Sequence, residues 1–560
     1  MQPEWEQNLN KLRKLPVEKR TVQINGIWYH SNRDAVREAK RNLKQFENFS
    51  HIVFVGAGLG HSVFLAEKLP FVKSILWLEA DPEIHYYISH LYGKISSKKI
   101  QYYFCENPSL DTLEEILPFF QGKPAEKTLI FPHAPSLKAR AEKMQRLLYR
   151  VQDLIKKRSI NQATLIKFQN LWNQNILLNS YAIYKSKSLY DLENLWQGQH
   201  FLIVGAGPSL SMSLEKIRKY QDSFVLLAAD TAAIPLAKNG IECDLVFAAD
   251  PQWLNVYFAL NEKVTQFAWA LDPAVCSNLV HFLHKHNANL YFWKNPFETA
   301  KIFQPKNAYE VAHGGSASTN AFSFAMACKP ASITLIGQDL SFTQQLAHLK
   351  GAVLEEKKHE DRSRFQTEEM HNFKQLSALE KIPVRSITGE NVFTNAKMKV
   401  FIDWFENQAL NHPAVKMYNA TEAGCLLQGF DHIPLEKIVE LGSFSKKVKV
   451  NHSKISFFQK SYQSIQSDLN RLQKETMYLA DVYNKLMKNS KKDFLLKEAR
   501  KFPQANQMIG YGAQKEILEI TEGTGSAENE TKFYVALYKS SKRLLSFLKK
   551  VDGLFRQKTP

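Results

Sequence analysis

The chain has little with which to build a disulfide scaffold or a metal cage. Its five cysteines, Cys105, Cys243, Cys276, Cys328 and Cys425, are scattered, odd in number and without a C-x-x-C pair. That pattern argues against disulfides and a structural zinc site, and predicts reduced thiols in a cytoplasmic protein. Apolar runs of eighteen residues or more are also missing, so no membrane span is expected. The opening residues, MQPEWEQNLNKLRK, are polar and hold no hydrophobic signal core. No D-x-D stands near the nucleotide turn described below, and no His, Cys and carboxylate cluster has ligand spacing. Metal-independent chemistry without a resident cofactor is therefore expected. None of the recognised nucleic-acid motifs occurs, so no nucleic-acid partner is expected.

What is present is length, apolar content and a lopsided charge. A chain of 560 residues exceeds a single core, and 44% hydrophobic with 12% aromatic content is that of a globular protein. Residues 441–560 carry 23 Lys and Arg against 11 Asp and Glu, which is +12 of the total +18. Such a surface attracts anionic partners, or simply keeps lysine-rich helices solvated.

Strand and helix patterns alternate along most of the chain, which predicts parallel α/β sheets. HIVFVGAGLGHSVFLAEKL (51–69) reads as strand, glycine turn and helix, followed by strands in SILWLEADPE (74–83) and TLIFPHAP (128–135). After a helical connector the same grammar restarts at HFLIVGAGPSL. It continues through SFVLLAAD, CDLVFAADPQ, QFAWALDP, ANLYFWKNP and SITLIGQDLSF. Beyond about 440, Ile465, Leu469 and Leu472 fall at helical spacing, GTGSAENE (523–530) reads as a linker, and a last helix follows. The expected architecture is two Rossmann-like parallel-sheet modules in series, then an all-helical domain. The expected bounds are 1–185, 186–435 and 436–560.

Two glycine turns differ in chemistry. GAGLGHS (56–62), with Glu79 and Asp81 at the end of the next strand, resembles the methyltransferase version of the turn, where an acid takes ribose hydroxyls; simple helix–strand packing is the alternative. In GAGPSL (205–210) the third glycine of the dinucleotide fingerprint is replaced by Leu210. Gly205 and Gly207 allow close approach, Pro208 starts the helix, and Ser209 adds a hydroxyl where N–H groups favour an anion. That suits a single mono- or diphosphate. In HGGSASTNAFSFAMACK (313–329), Gly314, Gly315, Ser316, Ser318, Thr319 and Asn320 make a second helix start that can grip an anion. Ordinary capping by Ser and Thr is the other reading. Asp230, Asp250 and Asp339 fall at strand ends, where ligands of open α/β sheets bind.

The order of YHSNRDAVREAK (29–40), VGAGLGHS, GAGPSL, NGIECDLVFAADPQ (239–252), HGGSASTNAFSFAMA, ITLIGQDLSFT (333–343), AHLKG (347–351) and YNATEAGCLLQG (418–429) resembles the Maf family of motility accessory factors, whose central domain is called MptE-like. The resemblance spans roughly 25–430. It implies transfer of a nonulosonic acid, pseudaminic or legionaminic acid in type, from its CMP-activated form to Ser or Thr of flagellin, in support of flagellar assembly. The family's central domain is similar to bacterial sialyltransferases. By that similarity Gly205, Gly207 and Ser209 would hold the CMP phosphate, and Ser316 with its neighbours the donor carboxylate or cytidine. The sialyltransferase turn usually has Asn where this chain has Ala206.

Such a transfer needs stabilisation of the leaving phosphate and a base for the acceptor hydroxyl. Candidates for the base are Asp230, Asp250 and Asp339, with His348 as alternative. Lys350 could neutralise the donor, and Asn419, Thr421 and Glu422 could close the site or merely cap a helix. Two other classes remain open: a pterin pyrophosphokinase-like diphosphotransferase, and a non-catalytic flagellin-binding chaperone that uses the basic tail.

Overall fold

The computed structural model describes residues 3–558 apart from 96, 107–115, 117, 121–126, 313, most of 344–379, 442–443, 445, 489–491 and 522–526. The chain divides into two compact units, Met1–Leu165 and Ile166–Pro560. The division falls inside one long helix, Ala141–Leu178, earlier than the boundary near 185 expected from sequence.

In the first unit a short hairpin, β1 (Gln23–Ile24) and β2 (Ile27–Trp28), precedes a four-stranded parallel sheet. Its strands are β3 (His51–Val55), β4 (Ser74–Glu79), β5 (Ile100–Phe104) and β6 (Thr128–Pro132), in the order β5-β4-β3-β6. Alternate residues of β3 feed two cores, Ile52 and Phe54 one, Val53 and Val55 the other. Burial on both faces explains why the strand reads as a continuous apolar run.

The second unit is built on an eight-stranded, wholly parallel sheet. In chain order its strands are β7 (His200–Val204), β8 (Val225–Ala229), β9 (Leu245–Ala248), β10 (Trp269–Leu271), β11 (Leu290–Phe292) and β12 (Ser332–Ile336). A hairpin, β13 (Lys381–Arg385) with β14 (Asn391–Asn395), then stands outside the sheet, and β15 (Lys416–Asn419) and β16 (Asp431–His432) complete it. The spatial order β11-β10-β9-β8-β7-β12-β15-β16 reverses direction between β7 and β12. This is a topological switch point, and the C-terminal edge beside it is where open α/β sheets hold ligands.

Again the strands alternate between two cores: Leu202, Val204, Leu226 and Ala228 face one, Phe201, Ile203, Val225 and Leu227 the other. The second face is covered by α1 (Ala317–Ala327) and α2 (Ala396–Asn411), through residues such as Phe322, Phe324 and Phe405. The C-terminal helices α3 (Tyr462–Met487), α4 (Pro503–Thr521) and α5 (Ala527–Lys558) do not form a separate core. Ile465, Leu469, Leu472, Leu479 and Leu548 join the same apolar cluster as Leu202 and Leu226. The helical segment expected after 436 is present, and it shares the core of the central sheet. Helix α5 begins at Ala527, so part of GTGSAENE is helical; 523–526 lie outside the described residues.

Candidate functional site at the switch point

The register of β7 against β12 builds the site. Val204 lies opposite Ile336, so the two chains leave the sheet side by side as Gly205-Ala206-Gly207 and Gly337-Gln338-Asp339. The Gly205 N–H donates to Ile336 O at 2.9 Å and the Gly207 N–H to Gly337 O at 2.9 Å. A Cβ on Gly207 would overlap the Asp339 carboxylate and stand 2.7 Å from Gly337 O; one on Gly205 would stand 2.6 Å from Gly337 O. The glycines are needed because two turns press backbone to backbone. Close approach of a ligand is not required to explain them.

Ser209 is turned inward. Its hydroxyl donates to Asp339 Oδ1 at 2.8 Å and its N–H to Asp339 Oδ2 at 3.1 Å, and both residues are about fully buried, at 1% and 2% exposure. Burial raises the Asp339 carboxyl above its ordinary value, and the bonds from Ser209 and Thr343 oppose that shift. The turn runs into a 3-10 helix, Pro208–Met212, rather than directly into an α-helix. Leu210 N–H donates to Gly207 O. Of the N–H groups from 205 to 210, that of Ala206 is thus the one with no partner among the described residues. The arrangement expected from sequence, a serine hydroxyl free at an α-helix start, is replaced by a serine–aspartate clasp.

The serine-rich segment caps α1. Ser316 is its N-cap and forms a reciprocal capping box with Thr319; the Thr319 N–H donates to Ser316 Oγ at 3.2 Å, and the Ser316 N–H to Thr319 Oγ1 at 3.1 Å. Asn320 Nδ2 donates to Ala312 O at 3.2 Å, and Gly314 packs against Thr319. Gly315, in the left-handed region at φ 92°, turns the chain into the cap. Ser318 points the other way: its hydroxyl accepts from Gln338 Nε2 at 2.7 Å. Gln338 in turn donates its N–H to Thr421 Oγ1 at 3.1 Å, and the Thr421 N–H donates to Asn419 Oδ1 at 3.1 Å. Asn419 is 2% exposed, and its Nδ2 has no hydrogen-bond partner. Gln338, which sequence reasoning passed over, ties the turns after β12 and β15 to the start of α1. Only its place beside Asp339 in IGQD hinted at such a role.

Of the other expected residues, Glu422 is ion-paired with Lys216 at 2.7 Å. His348 is half-buried in a segment whose next residue, Leu349, donates its N–H to Ala206 O at 3.0 Å, so that segment lies against the glycine turn. Lys350 lies outside the described residues.

A second polar group forms beyond β8 and β9. Asp230 opens a helix, is 6% exposed, and accepts from Thr231 N–H at 2.8 Å and from Asn255 Nδ2 at 2.7 Å. Burial, reinforced by the charge of Asp250, pushes its carboxyl up to about 6, against the pull of the Asn255 bond. Asp250 is exposed and accepts from Gln252 N–H at 2.8 Å. Two residues missed in the sequence hold this edge: Asn175 Nδ2 donates to Pro251 O and Ala274 O, and Asn179 Nδ2 to Pro273 O and Val275 O. Buried Asp272, also missed, accepts from the Ala274 N–H, Trp293 Nε1 and Asn295 Nδ2.

The first unit's turn is occupied by its own side chains. His30 Nε2 accepts the Leu59 N–H at 2.8 Å. Asp81 accepts from Tyr29 at 3.1 Å, from Arg140 at 3.0 Å and from the Glu83 N–H at 3.0 Å. Glu79 is fully buried, and burial pushes its carboxyl up to about 8. The packing alternative accounts for every one of these contacts.

Residues 174–345 match the family model described as 6-hydroxymethylpterin diphosphokinase MptE-like. Two uncharacterized proteins of Treponema pallidum (strain Nichols) are similar over short stretches. One is 37% identical over 92 residues, which is 16% of this chain and 42% of that protein. The other is 29% identical over 148 residues, 23% of this chain and 38% of that protein. The chain thus spans about two fifths of the length of these relatives. Among solved structures, the Maf glycosyltransferase from Magnetospirillum magneticum AMB-1 superposes with a TM-score of 0.54 over 99% of this chain and 92% of that one, at 13% identity. The chain therefore carries an MptE-like domain at its centre and, from end to end, the fold of a Maf glycosyltransferase.

Proposed function

We propose that the protein is a glycosyltransferase that moves a nonulosonic acid from a CMP-activated donor to serine or threonine of a protein acceptor, flagellin. The observation that carries the reading is the meeting of four chain segments at the switch point. They are the turns after β7, β12 and β15 and the capped start of α1, joined through Asp339 and Gln338. The end-to-end fold match to a glycosyltransferase supports it.

In this reading the donor lies along the C-terminal edge of β7 and β12. The Ala206 N–H and the segment carrying His348 face the leaving phosphate, while Ser209 and Asp339 act as positioning residues that hold the turn rigid. Asp230 is the base: a carboxyl raised to about 6 takes a hydroxyl proton near neutral pH better than an ordinary aspartate does. Its oxygens, like those of Asp339, already accept protein donors, which favours transfer without a metal. The test is transfer from a CMP-nonulosonate to flagellin with and without EDTA. Transfer that survives EDTA and falls steeply in Asp230→Asn is expected. Turnover that needs flagellin but is untouched by Asp230→Asn would remove that residue from the chemistry.

A diphosphotransferase is a second reading, favoured by the description of the matching family model. It predicts magnesium-dependent ATP turnover with no need for flagellin.

A further inference from the structure

The outer face of α5 is uniformly cationic. From residue 539 to 557 the exposed positions are Lys539, Lys542, Arg543, Lys549, Lys550 and Arg556, with the uncharged Ser546 and Gln557. No acid is exposed among them. At a rise of about 1.5 Å per residue the six cations line about 25 Å of one helix. The opposite face, through Leu544, Leu548, Val551 and Phe555, is buried in the core, so the stripe cannot rotate away. Arg543 is paired with Glu516 and Arg556 with Asp552. Among the described residues the four lysines have no ion-pair partner. The Lys542 and Lys550 Nζ atoms lie over the rings of Tyr538 and Phe547, 5.4 and 6.0 Å from the centroids, which holds both ammonium groups at the helix surface.

We propose that this stripe docks the protein on an anionic phospholipid surface. At 3.6 residues per turn the six positions spread over about 140° of the helix circumference, so the stripe is broad as well as long and presents its charges to an extended anionic plane. The unpaired charges are lysines, compact and strongly hydrated, rather than the planar arginines suited to bidentate contacts with phosphate or carboxylate. No aromatic residue is exposed on the stripe for base stacking. No helix of the described residues is long and apolar enough to cross a membrane, so the attachment is peripheral and electrostatic.

Co-sedimentation of the full chain with phosphatidylserine–phosphatidylcholine vesicles, against phosphatidylcholine alone, tests this. Binding only to the anionic vesicles is expected, weakening as salt rises from about 0.1 M and the screening length shrinks. Each surface lysine contributes about fivefold to such binding, so K539Q/K542Q/K549Q/K550Q should lose several hundred-fold. Exposed Lys→Gln substitutions hardly change helix propensity, so this variant should melt like the parent. Should it not, K549E/K550E supplies the same readout. A control, K11Q/K14Q/K285Q/K381Q, removes four exposed lysines elsewhere and should bind as the parent does. Equal binding to both vesicle types, an unchanged quadruple variant, or tighter binding to duplex DNA or an acidic peptide would each overturn the proposal.

Discussion

Replacing Ser209 with alanine removes a hydroxyl that donates to a buried carboxylate at 2.8 Å. Hydrogen bonds to charged groups contribute about 1.5–3 kcal/mol, and at 2% exposure no water can take the place of the lost donor. The expected destabilisation is therefore about 2–3 kcal/mol where Asp339 is ionised. The sign of its pH dependence follows from the carboxyl. Burial already raises Asp339 above its ordinary value, and Ser209 opposes that shift. A raised acid contributes stability that is present below its unfolded value and is lost as pH rises through the folded one. Losing Ser209 raises the folded value further, so the gap between parent and variant should be wider at high pH, where the carboxyl must ionise, than at low pH, where it is protonated in both. A chain of two units does not unfold in one step, so local opening is the proper readout. Hydrogen exchange in peptides covering 201–213 and 332–343 measures it. A loss no greater than that of the exposed control Ser546→Ala, or one equal at both pH values, would refute the clasp.

Gly207→Ala should disrupt the same turn, since the added methyl meets both Asp339 and Gly337 O; overpacking costs about 1–3 kcal/mol or more, and faster exchange at 201–213 is the check. Glu79→Gln should flatten the pH dependence of the first unit. In the parent, stability present below the ordinary glutamate value is lost as pH rises to about 8; melting curves across that window would show both slopes. Asp230→Asn should lower transfer by about 10²–10⁴-fold, and the acid limb of the parent's rate profile should lie near pH 6.

Much of the fold could be read from local pattern. Strands buried on both faces, such as HFLIV and SITLI, announce themselves by apolar runs. Strand β15, KMYN, is four residues long and partly polar, and β5, IQYYF, is only half-buried; neither stands out. The hairpin β13–β14 alternates exposed and half-buried residues over most of its length and contains Pro383, which masks it. For the site, sequence located the two glycine segments and the strand-end aspartates, because glycine and proline punctuate strand ends. It could not assign partners. Ser209 and Asp339 are 130 residues apart, and Gln338 reaches 83 residues to Thr421. Those pairings depend on the placement of β7 beside β12, which no local signal encodes. Ser316 and Thr319, read as either an anion grip or a cap, form the cap.

Calorimetric titration with CMP, beside ADP and S-adenosylhomocysteine and repeated on Ser318→Ala, bears directly on the donor site. CMP alone should bind. Loss of the hydroxyl that anchors Gln338 should weaken that binding by about tenfold, the equivalent of one hydrogen bond. Preference for ADP, or CMP binding indifferent to Ser318, would contradict a donor site at the switch point.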